Sequence, residues 1–127
     1  MARRIRTHEI NGLNESLLIN ALDEPEHGAC HEYQIRRWVR GAGDQHDDAE
    51  LCNIQFQKGP IKEHGVNGIS IEALLAIVAD RLQSFQAGPL ACHENGLALN
   101  KVEEAIVWLQ WRTVNRTIRG VEGTYQK

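Results

Sequence analysis

Apolar and polar positions change their period midway along the chain. Before about residue 58 the apolar positions fall in short runs. Arg4 to Ile10 alternates, Leu17 to Leu22 is apolar, and Cys30 to Trp38 sets Tyr33, Ile35 and Trp38 in a β-favouring stretch. Leu51 to Gln57 approaches a period of two, although Leu51 and Cys52 break its parity. Breakers divide these runs: Asn11-Gly12, Asp23-Glu24-Pro25 and Gly41-Ala42-Gly43-Asp44. No helix-length segment intervenes, so the strands are expected to be antiparallel. Asp44 to Glu50 reads as a solvated acidic hairpin connection.

Past Gly59-Pro60 and Gly65-Val66-Asn67-Gly68 the period becomes helical. Ser70 suits an N-cap and Glu72 a first turn, after which Ile71, Leu74, Leu75, Val78, Leu82 and Phe85 form an apolar stripe. Gly88-Pro89 separates this helix from a second, with Pro89 expected at its first position. The second helix is expected to run to about Ile118 and stop at Gly120, with Ala98, Val102, Ala105, Ile106, Leu109 and Thr113 toward its partner. At a rise of 1.5 Å per residue it would be about 45 Å long. The expected fold class is therefore α+β. A small antiparallel β region (1–58) leads through a connecting loop (59–69) to a two-helix antiparallel hairpin (70–119) and a tail (120–127), all in one domain. A hairpin with one overlong helix leaves faces uncovered. Oligomerisation through the helices is expected, with Trp108 and Trp111 on those faces.

Composition narrows the class. The chain has 127 residues, 24% of them charged, and a net charge of −3. This fits a globular domain and argues against a protein that coats nucleic acid through bulk electrostatics. No apolar run reaches the ~20 residues needed to span a bilayer, and Met1 to Arg6 lacks an apolar stretch behind its basic start. The expectation is a protein that stays in the compartment where it is made. Three scattered cysteines, Cys30, Cys52 and Cys92, fit reduced thiols.

Against this acidic background Arg112, Arg116 and Arg119 stand at i, i+4 and i+7, within roughly 60° of arc on one helix face. Trp108 lies one turn earlier on the same stripe. Guanidinium forks suit phosphate oxygens, and a neighbouring ring can stack a base. The same cations would also complement the helix macrodipole. Other chemistry finds less support. Cys30-His31 and Cys92-His93 repeat a ligand pair, but adjacent ligands are not the usual zinc spacing, and no metal is expected. Cys92, His93 and Glu94 diverge on a helix, and no nucleophile elbow, Walker loop or dinucleotide fingerprint occurs. The Gly59–Gly68 loop can present an anion cradle at a helix N-terminus or serve as a plain sheet-to-helix turn. Glu103-Glu104 is a solvent-facing pair. No catalytic residue and no cofactor are expected, and the residues favour anion binding over turnover.

Phe56-Gln57-Lys58-Gly59-Pro60-Ile61-Lys62-Glu63, Gly65-Val66-Asn67-Gly68, Leu74 to Val78, Asp80-Arg81-Leu82, Phe85 to Pro89, Glu94-Asn95, Trp108-Leu109, Arg112-Thr113, Arg116 and Arg119 to Thr124 together carry a resemblance. The chain resembles the helical-hairpin family of phage signal-sequestering proteins that includes the Thoeris anti-defence and anti-CBASS sponges. His31-Glu32-Tyr33-Gln34-Ile35 brings it closer to the sheet-bearing Thoeris branch. The resemblance implies a non-enzyme, acting in the cytoplasm of an infected bacterial host, that sequesters cyclic nucleotide immune signals. These are cyclic ADP-ribose isomers such as glycocyclic ADP-ribose, with cyclic di- or trinucleotides as further ligands. It implies a homo-oligomer, dimer or hexamer, without membrane, DNA or RNA partners.

By the same resemblance Arg112 and Arg116 would grip the diphosphate, with Arg119 as a third member. Asn95 would address a purine edge or ribose hydroxyl, and Phe85 would pack against the base. A second pocket, for a cyclic oligonucleotide, would draw on Arg81 and on the loop Gly65, Val66 and Asn67. Val66 replaces an aromatic of the anti-CBASS branch there. The alternatives are a nucleotide phosphodiesterase or hydrolase, a nucleic-acid-binding oligomer using the arginine stripe, and a structural assembly protein whose arginines pair with acids across subunits.

Overall fold

Alternating residues in the first half build a four-stranded antiparallel meander in sequence order, β1 (Arg3–Ile5), β2 (Leu17–Ala21), β3 (Glu32–Arg40) and β4 (His46–Gln55). This computed structural model describes residues 2–40 and 46–120, with side chains described outside 38–40 and 46–48. Chain contacts divide it into two compact units, Met1–Lys58 and Gly59–Lys127. The fold is α+β.

In the first unit, register sorts the sheet into two faces. Ile5, Ile19, Ile35 and Cys52 lie in one cross-strand row, and Ala21, Tyr33 and Ile54 in the next on the same face. Arg4, Asn20, Gln34 and Asn53 form a polar row on the other face. Pairing runs Ile35 to Cys52 and then Arg36 to Glu50, so Leu51 is the extra residue of a β-bulge. The parity break at Leu51-Cys52 is that bulge.

Three expectations give way here. β1 ends at Ile5 instead of reaching Ile10, because Gly12–Glu15 turns into a one-turn helix, α1, capped by Asn11. β3 starts at Glu32. β4 begins at His46, so Asp47 to Glu50 is strand and not acidic loop, cross-strand from Val39, Trp38, Arg37 and Arg36. Arg36 opposite Glu50 is one pair of unlike charges across the ladder, which favours the pairing. Asp44 lies outside the described residues.

The β2–β3 connection is tightly organised. His27 and Gly28 both take positive φ (51° and 96°) between the bridged residues Glu26 and Ala29, the requirement of a type I′ turn. The Asp23 carboxylate accepts from the backbone N–H of His31 (2.9 Å) and of Glu32 (3.1 Å). Lys58 Nζ pairs with Glu26 Oε2 at 3.1 Å. Burial opposes the Asp23 charge, but the N–H groups of His31, Glu32 and Asp23 itself outweigh it and hold the carboxyl below its ordinary value. The Lys58 hydrogen bond does the same for Glu26, and Glu26 raises Lys58 in return.

The second unit opens with a one-turn helix, α2 (Ile61–His64), closed by Gly65 at φ +69°. It then forms a hairpin of α3 (Ile71–Gln86) and α4 (His93–Ile118). The Ser70 hydroxyl accepts from Ala73 N at 3.0 Å, as an N-cap should. α4 starts at His93, so Pro89 lies in the inter-helix turn and not at the first helical position, with Cys92 as N-cap residue. Its 26 residues give a length of about 39 Å, shorter than expected. Gly120, at φ +75°, ends it as expected.

Half-buried positions on α4 are Asn95, Leu99, Val102, Ile106, Leu109, Thr113 and Arg116, spaced alternately four and three, with Ala105 beside them. On α3 they are Glu72, Leu75, Ala79, Leu82 and Gln86, with Leu74 and Phe85 alongside. This is a heptad seam. Ala98, Ile71 and Val78 are exposed, contrary to expectation, and Leu99 and Ala79 take the contact positions.

Candidate functional site

The seam fixes where each sequence-identified residue stands. Phe85 closes α3 and Asn95 opens α4, so both sit at the hairpin bend. Gln86 ties that bend together: its Oε1 accepts from Cys92 N at 3.0 Å, supplying the cap that the Cys92 side chain does not. Gly96 lets the Gln86 amide approach, since a Cβ there would stand 3.1 Å from Nε2. An open recess beside Gln86, Cys92, His93, Gly96 and Asn100 takes in neighbours of Asn95 but neither Asn95 nor Phe85. Gln86 went unnoticed in the sequence, because a glutamine at a helix end carries no distinct motif.

Arg112, Arg116 and Arg119 lie at the other end of α4. Arg116 is half-buried on the seam, Arg112 is exposed on its flank, and Arg119 is exposed as the C-cap residue. Arg112 and Arg119 form no ion pair among the described residues, while Arg116 has a partner. Glu104 pairs with Lys101 at 3.8 Å. Asn95 and Arg112 are separated by about 26 Å of helix rise. One chain therefore does not bring Phe85 and Asn95 together with Arg112 and Arg116.

Val107, Trp111, Val114 and Ile118 repeat at i, i+4, i+7 and i+11 on α4, away from the seam. Trp111 is 56% exposed and Trp108, beside it, 63%. The helix thus has an apolar face beyond the one its hairpin partner covers, and the arginine flank runs between the two.

The residues named for a second pocket come from two elements, the loop before α3 and α3 itself. Val66 and Asn67 are exposed in the loop before α3, next to the left-handed Gly65. Arg81 lies about 15 Å of helix rise farther along α3. Its guanidinium carbon stands 5.1 Å from the centroid of the Phe85 ring.

The two Cys-His pairs stand in different environments. Cys30 Sγ is bonded to the Asp23 carbonyl, and the His31 ring meets the Glu26 carbonyl; both residues are buried in the sheet unit. Cys92 and His93 are exposed at the start of α4. No group of three His, Cys, Asp or Glu side chains suited to a metal ion occurs among the described residues. Among them, too, no helix is long and apolar enough to cross a membrane.

Comparison with known proteins picks out the last strand and the helical hairpin. Residues 48–113 match the family model of the Acb2/Tad1 hairpin domain. A protein named Thoeris anti-defense 1, from Bacillus phage SBSphiJ7, is 50% identical over 78 residues, 61% of this chain and 55% of the relative. The match thus spans about half the length of that curated relative. The matched segment holds β4 from its acidic start, all of α3, and α4 through Thr113, so it includes Phe85, Asn95 and Arg112. The chain belongs to the Acb2/Tad1 hairpin family.

Proposed function

We propose that this chain is an anti-Thoeris sponge, which binds cyclic ADP-ribose isomers such as glycocyclic ADP-ribose inside the infected host and holds them without cleavage. One observation carries the reading: the two halves of the candidate pocket lie at opposite ends of α4, and an exposed apolar stripe, Val107 to Ile118, runs alongside the arginine half. A second copy laid antiparallel with its two-fold axis at about residue 104 of α4 would bring the Phe85–Asn95 end of one chain to the Arg112–Arg116 end of the other, and would lay the first turns of its α4 along that stripe. Each dimer then has two pockets, as two-fold symmetry demands.

Energetics favour such a shared pocket. A sponge must hold its ligand below signalling concentration, and nanomolar binding corresponds to about −12 kcal/mol. Two charge-assisted arginine contacts contribute about 1.5–3 kcal/mol each. The remainder must come from stacking and desolvating the base, which needs Phe85 and a closed wall. The relative's name, Thoeris anti-defense 1, supports the target. Cyclic di- or trinucleotides are the weaker ligand class, because Val66 offers no ring to stack.

The test is depletion followed by release. Excess protein incubated with glycocyclic ADP-ribose should clear it from the filtrate and return it intact on heating, and native mass spectrometry should give about one ligand per chain in a dimer-based assembly. Recovery of a hydrolysed product would establish an enzyme instead.

A further inference from the structure

Arg81 and Phe85 stand one helical turn apart on α3, at i and i+4, on the outer flank shared with Ile71, Leu74 and Val78. The Arg81 guanidinium carbon lies 5.1 Å from the Phe85 ring centroid, within cation–π range. Arg81 forms no ion pair among the described residues, so the ring is its partner there. Val66 and Asn67, by contrast, belong to the loop before the Ser70 N-cap, while Arg81 stands about 15 Å of helix rise into α3 from Ile71.

We infer that Arg81 is a positioning residue of the Phe85 pocket and not a member of a separate loop pocket with Gly65, Val66 and Asn67. The inference rests on the sponge reading above. A planar guanidinium laid on one face of the ring restrains its rotation and leaves the opposite face for a purine. A guanidinium has more N–H groups than a ring face occupies, and those at the ring edge remain available to a phosphate or ribose oxygen of the same ligand. Phe85 is half-buried, so part of its ring stays open beside the exposed Arg81. The base would then meet a ring set in place before binding, which lowers the ordering cost of association.

The experiment is a double-mutant cycle of Arg81→Gln and Phe85→Ala, read as glycocyclic ADP-ribose affinity by titration calorimetry on the full-length oligomer. Arg81→Gln alone should weaken binding about two- to five-fold, the worth of an exposed cation–π contact. In the Phe85→Ala background the same substitution should cost almost nothing further, because the ring it positions is gone. Arg81→Lys should recover part of the loss. The thermal midpoint should not move, and aromatic NMR should show the Phe85 ring flipping faster in Arg81→Gln without ligand. Equal losses in both backgrounds, or wild-type affinity for Arg81→Gln, would overturn the inference while leaving the sponge reading intact. So would loss of cyclic dinucleotide binding with unchanged affinity for the ADP-ribose isomer. Failure of the unaltered protein to bind any cyclic ADP-ribose isomer would overturn the sponge reading, and this inference with it.

Discussion

A pocket assembled from two chains can be rebuilt from two broken ones. One variant, Phe85→Ala with Asn95→Ala, removes the bend half of every pocket. The other, Arg112→Ala with Arg116→Ala, removes the phosphate half. The latter should lose two charge-assisted contacts, about 3–6 kcal/mol in all, or roughly 10²- to 10⁴-fold in affinity. From nanomolar affinity this leaves the arginine variant at about 0.1–10 µM, so it stays silent when free ligand is held at about 10 nM. The two deleted groups are about 26 Å apart along α4, far more than an ADP-ribose-sized ligand bridges. In a mixed dimer one pocket receives the intact bend of the second variant and the intact arginines of the first, while the other pocket receives neither. Random reassortment of equal amounts makes half of the dimers mixed, so about a quarter of all pockets should recover full affinity.

Ligand stoichiometry by calorimetry, after the two variants are unfolded together and refolded, reads that fraction directly. Circular dichroism confirms that each variant folds, and native mass spectrometry confirms mixed species. Mixed oligomers with no recovered sites would refute the two-chain pocket. Residual tight binding by the arginine variant alone would refute the phosphate role of Arg112 and Arg116.

Three further outcomes follow from local geometry. Trp111→Glu places a charge on the exposed apolar stripe of α4; sedimentation should show a folded but smaller species, and ligand binding should vanish with the assembly. Gln86→Ala removes the cap on Cys92 N and should cost about 0.5–1.5 kcal/mol in thermal unfolding, while Gln86→Glu, which keeps an acceptor, should cost less. Asp23 and Glu26 are both held below their ordinary values of 3.8 and 4.5, so their contribution is present above those values and is lost as pH falls through the lowered ones. Lys58, raised above 10.5, contributes below that value and loses its contribution as pH rises through the raised one. Sheet stability followed by circular dichroism should therefore decline at both extremes, and Asp23→Asn should flatten the acid limb; an unchanged acid limb would show that the corner does not set it.

The order of elements was legible because each half keeps one period: two before Lys58, helical after it. The strand limits were less so. Asp47 to Glu50 looks like loop by composition, and only its cross-strand register against Arg36 to Val39 makes it strand. The bulge at Leu51 was visible as a broken alternation, yet one strand alone does not tell a bulge from an irregular end. On the helices most of the facing was right, and only Ile71, Val78 and Ala98 were misplaced. α3 and α4 each carry more apolar residues than one contact can use, so periodicity alone could not choose Ala79 over Val78, or Leu99 over Ala98. The site residues came from the resemblance, with the arginine stripe as independent support. That Phe85 and Arg112 would stand at opposite ends of the hairpin followed only once the helices had lengths and a seam.

The three faces of α4 explain why ligand binding and assembly belong to one design. Taking the seam centre as reference, 100° per residue puts the Val107–Trp111–Val114–Ile118 stripe roughly opposite and Arg112 and Arg119 on the flank between, with Arg116 at the edge of the seam. A copy that covers the apolar stripe must run past that flank, partly shielding its guanidinium groups from water. Alone, Arg112 is a solvated cation whose attraction for a diphosphate is largely screened. At the edge of an interface the same contact strengthens as the local dielectric falls. Affinity is then linked to assembly by mass action: ligand that binds only the assembled state stabilises it, and dilution into monomer weakens ligand binding. The apparent affinity should accordingly fall with protein concentration below the dimer dissociation constant, and Trp111→Glu should shift that threshold upward without altering Arg112. Concentration-independent affinity in a protein shown to dissociate over the same range would mean that the arginines need no second chain.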